Sequence, residues 1–187
     1  MRLNQKLNLV IPVEQGDQTL YVHSTPISTA VFERYFLVLS KTFSAIYNEG
    51  LGVTVGPRVA ALLLRKIASD RGELEDVEKG LLAEVRRLSN VVAPGEGGWT
   101  TYPFQEAVDR RTLDDDDIRV LENALVYFTV ASSIHTRADL LVVLDEAGKL
   151  WSARTTSLNC TEYAASCPKL TVTDSSGETV TTSSVPS

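Results

Sequence analysis

PISTAVFERYFLVLSKTFSAIYNEG, residues 26–50, decides the fold class. Ser28 is a good N-cap, Ile27 and Phe32 fit a hydrophobic staple around it, and Gly50 supplies a stop. At about 100° per residue, Phe32, Tyr35, Phe36, Leu39, Phe43, Ile46 and Tyr47 fall within a third of the circumference, with Arg34, Lys41 and Asn48 opposite. The spacing predicts one amphipathic helix whose aromatic stripe forms a wall of the core.

A second helix, Ile118 to about His135, has a different pattern. Val120, Leu121, Ala124, Leu125, Val126, Tyr127, Phe128, Val130, Ala131 and Ile134 cover nearly its whole circumference, so it belongs at the centre of a bundle. The aspartates 114–117 before it supply an N-cap and complement the positive helix end. His135 at the other end fits a dipole-capping role.

Outward from these two, Lys6–Val13 and Thr19–Ser24 read as a β-hairpin. Helices are expected at about 57–70, with Gly56 as N-cap and Val59, Leu62, Leu63 and Ile67 buried, and at 74–90, with Leu74, Val77, Leu81, Val85 and Leu88 as the stripe. In the latter, Glu75 and Lys79 form an i,i+4 pair. Pro103 opens a short helix to about Arg111, and another runs from Ala138 to about Ala147, closed by Gly148. Ala93–Phe104 is expected to be a loop, and it carries Trp99, Tyr102 and Phe104. These three are either exposed anchors for a partner or a cover over a gap in the core. A last short helix lies within 157–166, and the Ser/Thr-rich end is expected to be disordered. The fold class is therefore mainly α (α+β). A hairpin (5–24) packs on a bundle of about five or six helices (27–166) in one domain (1–166), followed by a tail (167–187).

Composition narrows function mostly by exclusion. The 187 residues carry a net charge of −6, which disfavours nucleic acid. No stretch approaches the roughly 18 apolar residues of a membrane span, so a cytoplasmic location is expected. Cys160 and Cys167 are expected to be free thiols in a reducing compartment. GLGVTVG, residues 50–56, follows a helix rather than a strand, so it is read as a connector and not a phosphate loop. Consecutive aspartates cannot converge on one ion, and His23 has no visible partner ligands. No catalytic, cofactor or metal constellation emerges, and an enzyme is not expected.

The order and wording of LNLVIPV, LYVHSTPIS, VFERYFLVLSKTFSAIY, GPRVAALLLRKIA, LENALVYFTVASSIH and TTSLNCTEYAAS resemble the tail assembly chaperones of long-tailed bacteriophages. The resemblance covers most of residues 1–166. It implies a mainly helical, non-enzymatic protein of the infected host cytoplasm, without cofactor. Such a protein binds the tape measure protein, with other tail proteins as further partners and self-association open, and is absent from the finished virion. For a chaperone, the candidate contact surfaces are the aromatic loop, Trp99, Tyr102 and Phe104, and the flank of the first helix. On that flank Val31, Val38 and Ala45 recur at heptad spacing, with Leu37 alongside Val38. This seam meets either a partner or another helix of the same domain. The second reading is a small structural virion protein of the tail or head-to-tail junction.

Overall fold

A computed structural model describes residues 7–16, 18–95, 98–135 and 137–168. The chain is mixed α/β and mainly helical. The hairpin of β1 (Asn8–Gln15) and β2 (Gln18–Ser24) lies inside a five-stranded antiparallel sheet of order β4-β3-β2-β1-β5. The other strands are β3 (Ser89–Gly95), β4 (Gly98–Pro103) and β5 (Arg154–Thr156). The expected loop 93–104 is thus mostly a second hairpin, with Val91 opposite Tyr102 and Ala93 opposite Thr100. The β1–β5 register pairs Asn8 with Thr156 and Val10 with Arg154. Continued, it would set Pro12, which has no N–H, against Ser152 at φ +54°, so the pairing stops after three residues.

Alternation along the strands sends side chains to two different cores. Leu9, Ile11, Val13, Leu20, Val22, Val91 and Ala93 join the large core with the helices. Val10 and Val92 point to the opposite face, where they pack with Tyr163 and Ala164 of α9 (Cys160–Ser166). Asn159 and Glu162 close a reciprocal capping box on α9. On that same face the His23 Nε2–H and the Asn8 amide both donate to the Leu158 carbonyl, at 3.0 and 2.8 Å. Cys160 and Cys167 are free thiols there.

The helical layer centres on α7 (Asp115–Ile134), in which nine residues from Leu121 to Ala131 are buried. Asp114 caps it by accepting from the Asp117 amide at 2.7 Å. Helix α3 (Gly52–Asp70) crosses α7 and begins five residues earlier than expected. Gly56 is no cap: a Cβ there would lie 2.8 Å from Tyr127 and 2.9 Å from Ile46, so the glycine permits a close helix crossing. The buried stripe of α3 is Ala60, Ala61, Leu64 and Ala68, and Leu62 is exposed, because small residues rather than large ones let α3 approach α7. Around these two stand α1 (Thr29–Arg34), α2 (Phe36–Asn48), α6 (Phe104–Asp109) and α8 (Arg137–Trp151). Gly148 lies inside α8 rather than ending it. The segment 74–87 is α4 (Leu74–Asp76), a π-helical turn (Val77–Leu82) and α5 (Ala83–Arg87) in succession. The predicted tail from Lys169 onward lies outside the described residues.

The expected single helix at 28–50 is two helices. Tyr35, at φ −104° and ψ 15°, ends α1 and begins α2. The buried face is rotated away from the aromatic stripe: Tyr35, Val38, Leu39, Thr42 and Ile46 are buried, whereas Phe36, at the edge of the expected stripe, is 49% exposed. Its ring meets Phe32 edge-on at 5.6 Å, outside the core. His135 is the C-cap of α7, its amide donating to the Ala131 carbonyl at 3.0 Å, and its ring stands edge-on to Phe43 at 5.1 Å.

Leu39→Ala is therefore expected to cost about 2–5 kcal/mol in urea unfolding, and Phe36→Ala about 1 kcal/mol or less. Burial lowers the pKa of the His23 imidazole from its usual value, outweighing the hydrogen bond to Leu158. The unfolded chain then takes up the proton first, so this contribution is intact above about pH 6.5 and declines as pH falls below it. In His23→Gln, which keeps an amide donor, the loss of stability between pH 7.5 and 5 should be smaller than in the native chain.

Candidate functional site

An open groove of roughly 830 Å³ lies between the first turn of α2 and residues 71–79. Tyr35, where α1 meets α2, lines it; its amide donates to the Val31 carbonyl at 3.1 Å and its carbonyl accepts from the Leu39 amide at 3.0 Å. The Tyr35 ring then turns inward, and its hydroxyl donates to the Asp76 carbonyl at 3.3 Å. It lies so close to Gly80 that any side chain there would collide with it. Gly80 sits in the π-helical turn, and a π turn inside an α-helix is a common companion of functional surfaces. Burial pushes the Tyr35 phenol up, so it remains a donor at neutral pH.

With Tyr35 and Val38 turned in, Phe36 and Leu37 turn out, at 49% and 57% exposure. Charged residues rim them, and six of these form three ion pairs. Arg34 meets Asp76 at 2.6 Å, Lys79 meets Glu75 at 2.6 Å, and Arg71 holds Glu73 through two bonds of 2.7 and 2.8 Å. The hydrogen bonds from Arg71 hold the Glu73 carboxyl below its usual range. A groove of this kind offers apolar contact area bordered by ions of both signs. Its chemistry suits an amphipathic segment of another protein.

Comparison of the chain with protein-family models, curated proteins and solved structures returned no match. Among the described residues, no group of three or more His, Cys, Asp or Glu side chains could hold a metal ion. No helix there is long and apolar enough to cross a membrane.

The five residues marked by sequence do not form one surface. Leu37 lies in the groove. Val38 is 2% exposed and part of the large core, so the heptad seam meets the chain's own helices. Phe104 is 2% exposed, because as the first residue of α6 it points under the sheet. Trp99 and Tyr102 lie on opposite faces of β4. Trp99 packs against Tyr21 at 5.4 Å and donates to the Pro168 carbonyl at 2.7 Å. Tyr102 packs against the large core with Arg110 over its ring at 4.9 Å. The sequence reading missed Phe36 as a surface residue. It also missed the Tyr35–Gly80 contact, although a glycine inside a helical stripe often marks such an approach.

Gly80→Ala should destabilise the fold by about 1–3 kcal/mol, since the methyl has to displace Tyr35. Adding Tyr35→Phe should restore part of that loss, as read by thermal and urea unfolding of the single and double variants.

Proposed function

We propose that this chain is a tail assembly chaperone of a long-tailed bacteriophage, acting without covalent chemistry in the host cytoplasm. In this reading its partner is the tape measure protein, which it keeps soluble until the tail tube forms around it. Two features support it: the resemblance in the stretches quoted above and, chiefly, the outward placement of Phe36 and Leu37 in a charge-rimmed groove. A long helical protein exposes apolar faces before it is enclosed, and an acidic partner with such a groove can cover one of them. The contact surface is accordingly Phe36 and Leu37, not the seam through Val38.

Co-expression with the tape measure protein should raise its soluble fraction and yield an isolable complex. Replacing Phe36 and Leu37 together by Asp should abolish the complex while leaving the unfolding midpoint nearly unchanged. If the tape measure protein is no more soluble with the chain than without it, the proposal fails. Retention of the chain in purified particles would favour the structural virion reading.

A further inference from the structure

The sheet face covered by α9 carries a separate concavity of roughly 460 Å³, lined in part by Tyr21, Arg154, Thr156, Tyr163, Ser166 and Cys167. Arg154, on β5, has its guanidinium 5.6 Å from the Tyr21 ring centroid and 5.4 Å from that of Tyr163. It also donates to the Tyr163 hydroxyl. Arg34, Arg65, Arg71, Arg86, Arg87, Arg110 and Arg119 each pair with a carboxylate. Arg154 is instead held by rings and a hydroxyl; no acidic residue lines this concavity, and Asp145 lines a second one that Arg154 also borders.

This arrangement leaves donors unused. A guanidinium has five N–H groups, and only one is engaged by Tyr163. Tyr163 is 4% exposed, and its oxygen accepts from Arg154, so its own O–H is left to donate. Burial pushes that phenol up, which keeps the proton in place at neutral pH. The Thr156 hydroxyl oxygen accepts from the Leu158 amide at 3.2 Å, which leaves its proton free as well. Two aromatic walls fix the guanidinium plane before anything binds, which lowers the ordering cost of a bidentate contact.

We propose that this pocket binds a carboxylate, received by the guanidinium fork of Arg154 and the hydroxyl of Tyr163. A single positive charge with no acid in the lining matches a monoanion, and a planar acceptor matches the fork. The carboxylate comes from an acidic side chain, either of another protein or of this chain beyond Pro168, where Asp174 and Glu178 follow. The site is independent of the groove at Phe36 and Leu37, and its test does not involve the tape measure protein.

The experiment is a titration of the isotope-labelled full chain with capped glutamate, N-acetylated and C-amidated so that its side chain bears the sole carboxylate. The Arg154 Nε–Hε signal and the amides of Thr155, Tyr163 and Ser166 are followed by NMR. Saturating shifts confined to these groups are expected. Arg154→Gln should weaken binding about tenfold or more, and Tyr163→Phe by a smaller factor. Arg119→Gln, on α7, should leave it unchanged. Should Arg154→Gln not fold, Arg154→Lys keeps the charge without the fork and should also weaken binding. A full chain carrying Asp174→Asn and Glu178→Gln separates the sources. Tighter binding of capped glutamate there assigns the site to the chain's own acids, and unchanged binding assigns it to an external one. Non-saturating drift in both chains, or shifts that persist undiminished in Arg154→Gln, would overturn the proposal. So would preferential binding of inorganic phosphate at equal ionic strength.

Discussion

The close crossing of α3 and α7 is the constraint on which the rest of this fold depends. Gly56 has Tyr127 of α7 and Ile46 of α2 where its side chain would be, so three helices meet at one residue. Below that point Ala60, Ala61, Leu64 and Ala68 keep the surfaces close. Asn123 fastens them in the buried interior: its carbonyl accepts from the Ala61 amide at 3.0 Å while its amide donates to the Arg119 carbonyl at 2.9 Å. Both ends of that polar group are satisfied, which is the condition for burying it without penalty. At the flank Arg65 joins Glu78 and Glu122, and Glu122 also takes Arg86, tying α3, the π-helical turn, α5 and α7 together. Single exposed ion pairs contribute little, but here the Glu122 side chain is only 16% exposed and shared between two arginines.

Tyr35 separates α1 from α2 and anchors its ring beside this packing. Its hydroxyl donates to the Asp76 carbonyl, and the ring occupies the space that a side chain at Gly80 would need. In α2, Leu39 and Ile46 enter the core, while Phe36 and Leu37 are left exposed.

This also explains what could be read in the chain. Helix α7 was legible because being apolar all round is a property of composition that needs no phase. The β1–β2 hairpin was legible because its alternation is short and bounded by turn residues. By contrast, the stripe of residues 32–47 was centred on its aromatic residues, whereas the buried face runs through Tyr35, Val38, Leu39, Thr42 and Ile46, so Phe36 and Val38 were misassigned together. The β3–β4 hairpin was hidden for another reason. Pro94, Gly95, Gly97 and Gly98 read as loop punctuation, and Val91 and Val92, between the expected helix and the expected loop, show themselves as a strand only when β2 is there to pair with them. Of the candidate surface only Leu37 was legible, since Phe36 counted among the aromatic residues on which the stripe was centred.

The two faces of the sheet differ in how firmly they are held. The bundle side shares one large core with every major helix, whereas the opposite side has a small cluster around Val10, Val92, Tyr163 and Ala164. Helix α9 has seven residues, too few to persist without that contact, and its capping box and the bonds of Asn8 and His23 to Leu158 supply what the small cluster does not. A unit with so little buried apolar area opens at lower free energy than the bundle. Tyr163 belongs to that unit, while Arg154 belongs to the edge strand β5, so whatever engages both at once joins α9 to the sheet. A carboxylate bound at the proposed Arg154 pocket would therefore favour the docked position of α9.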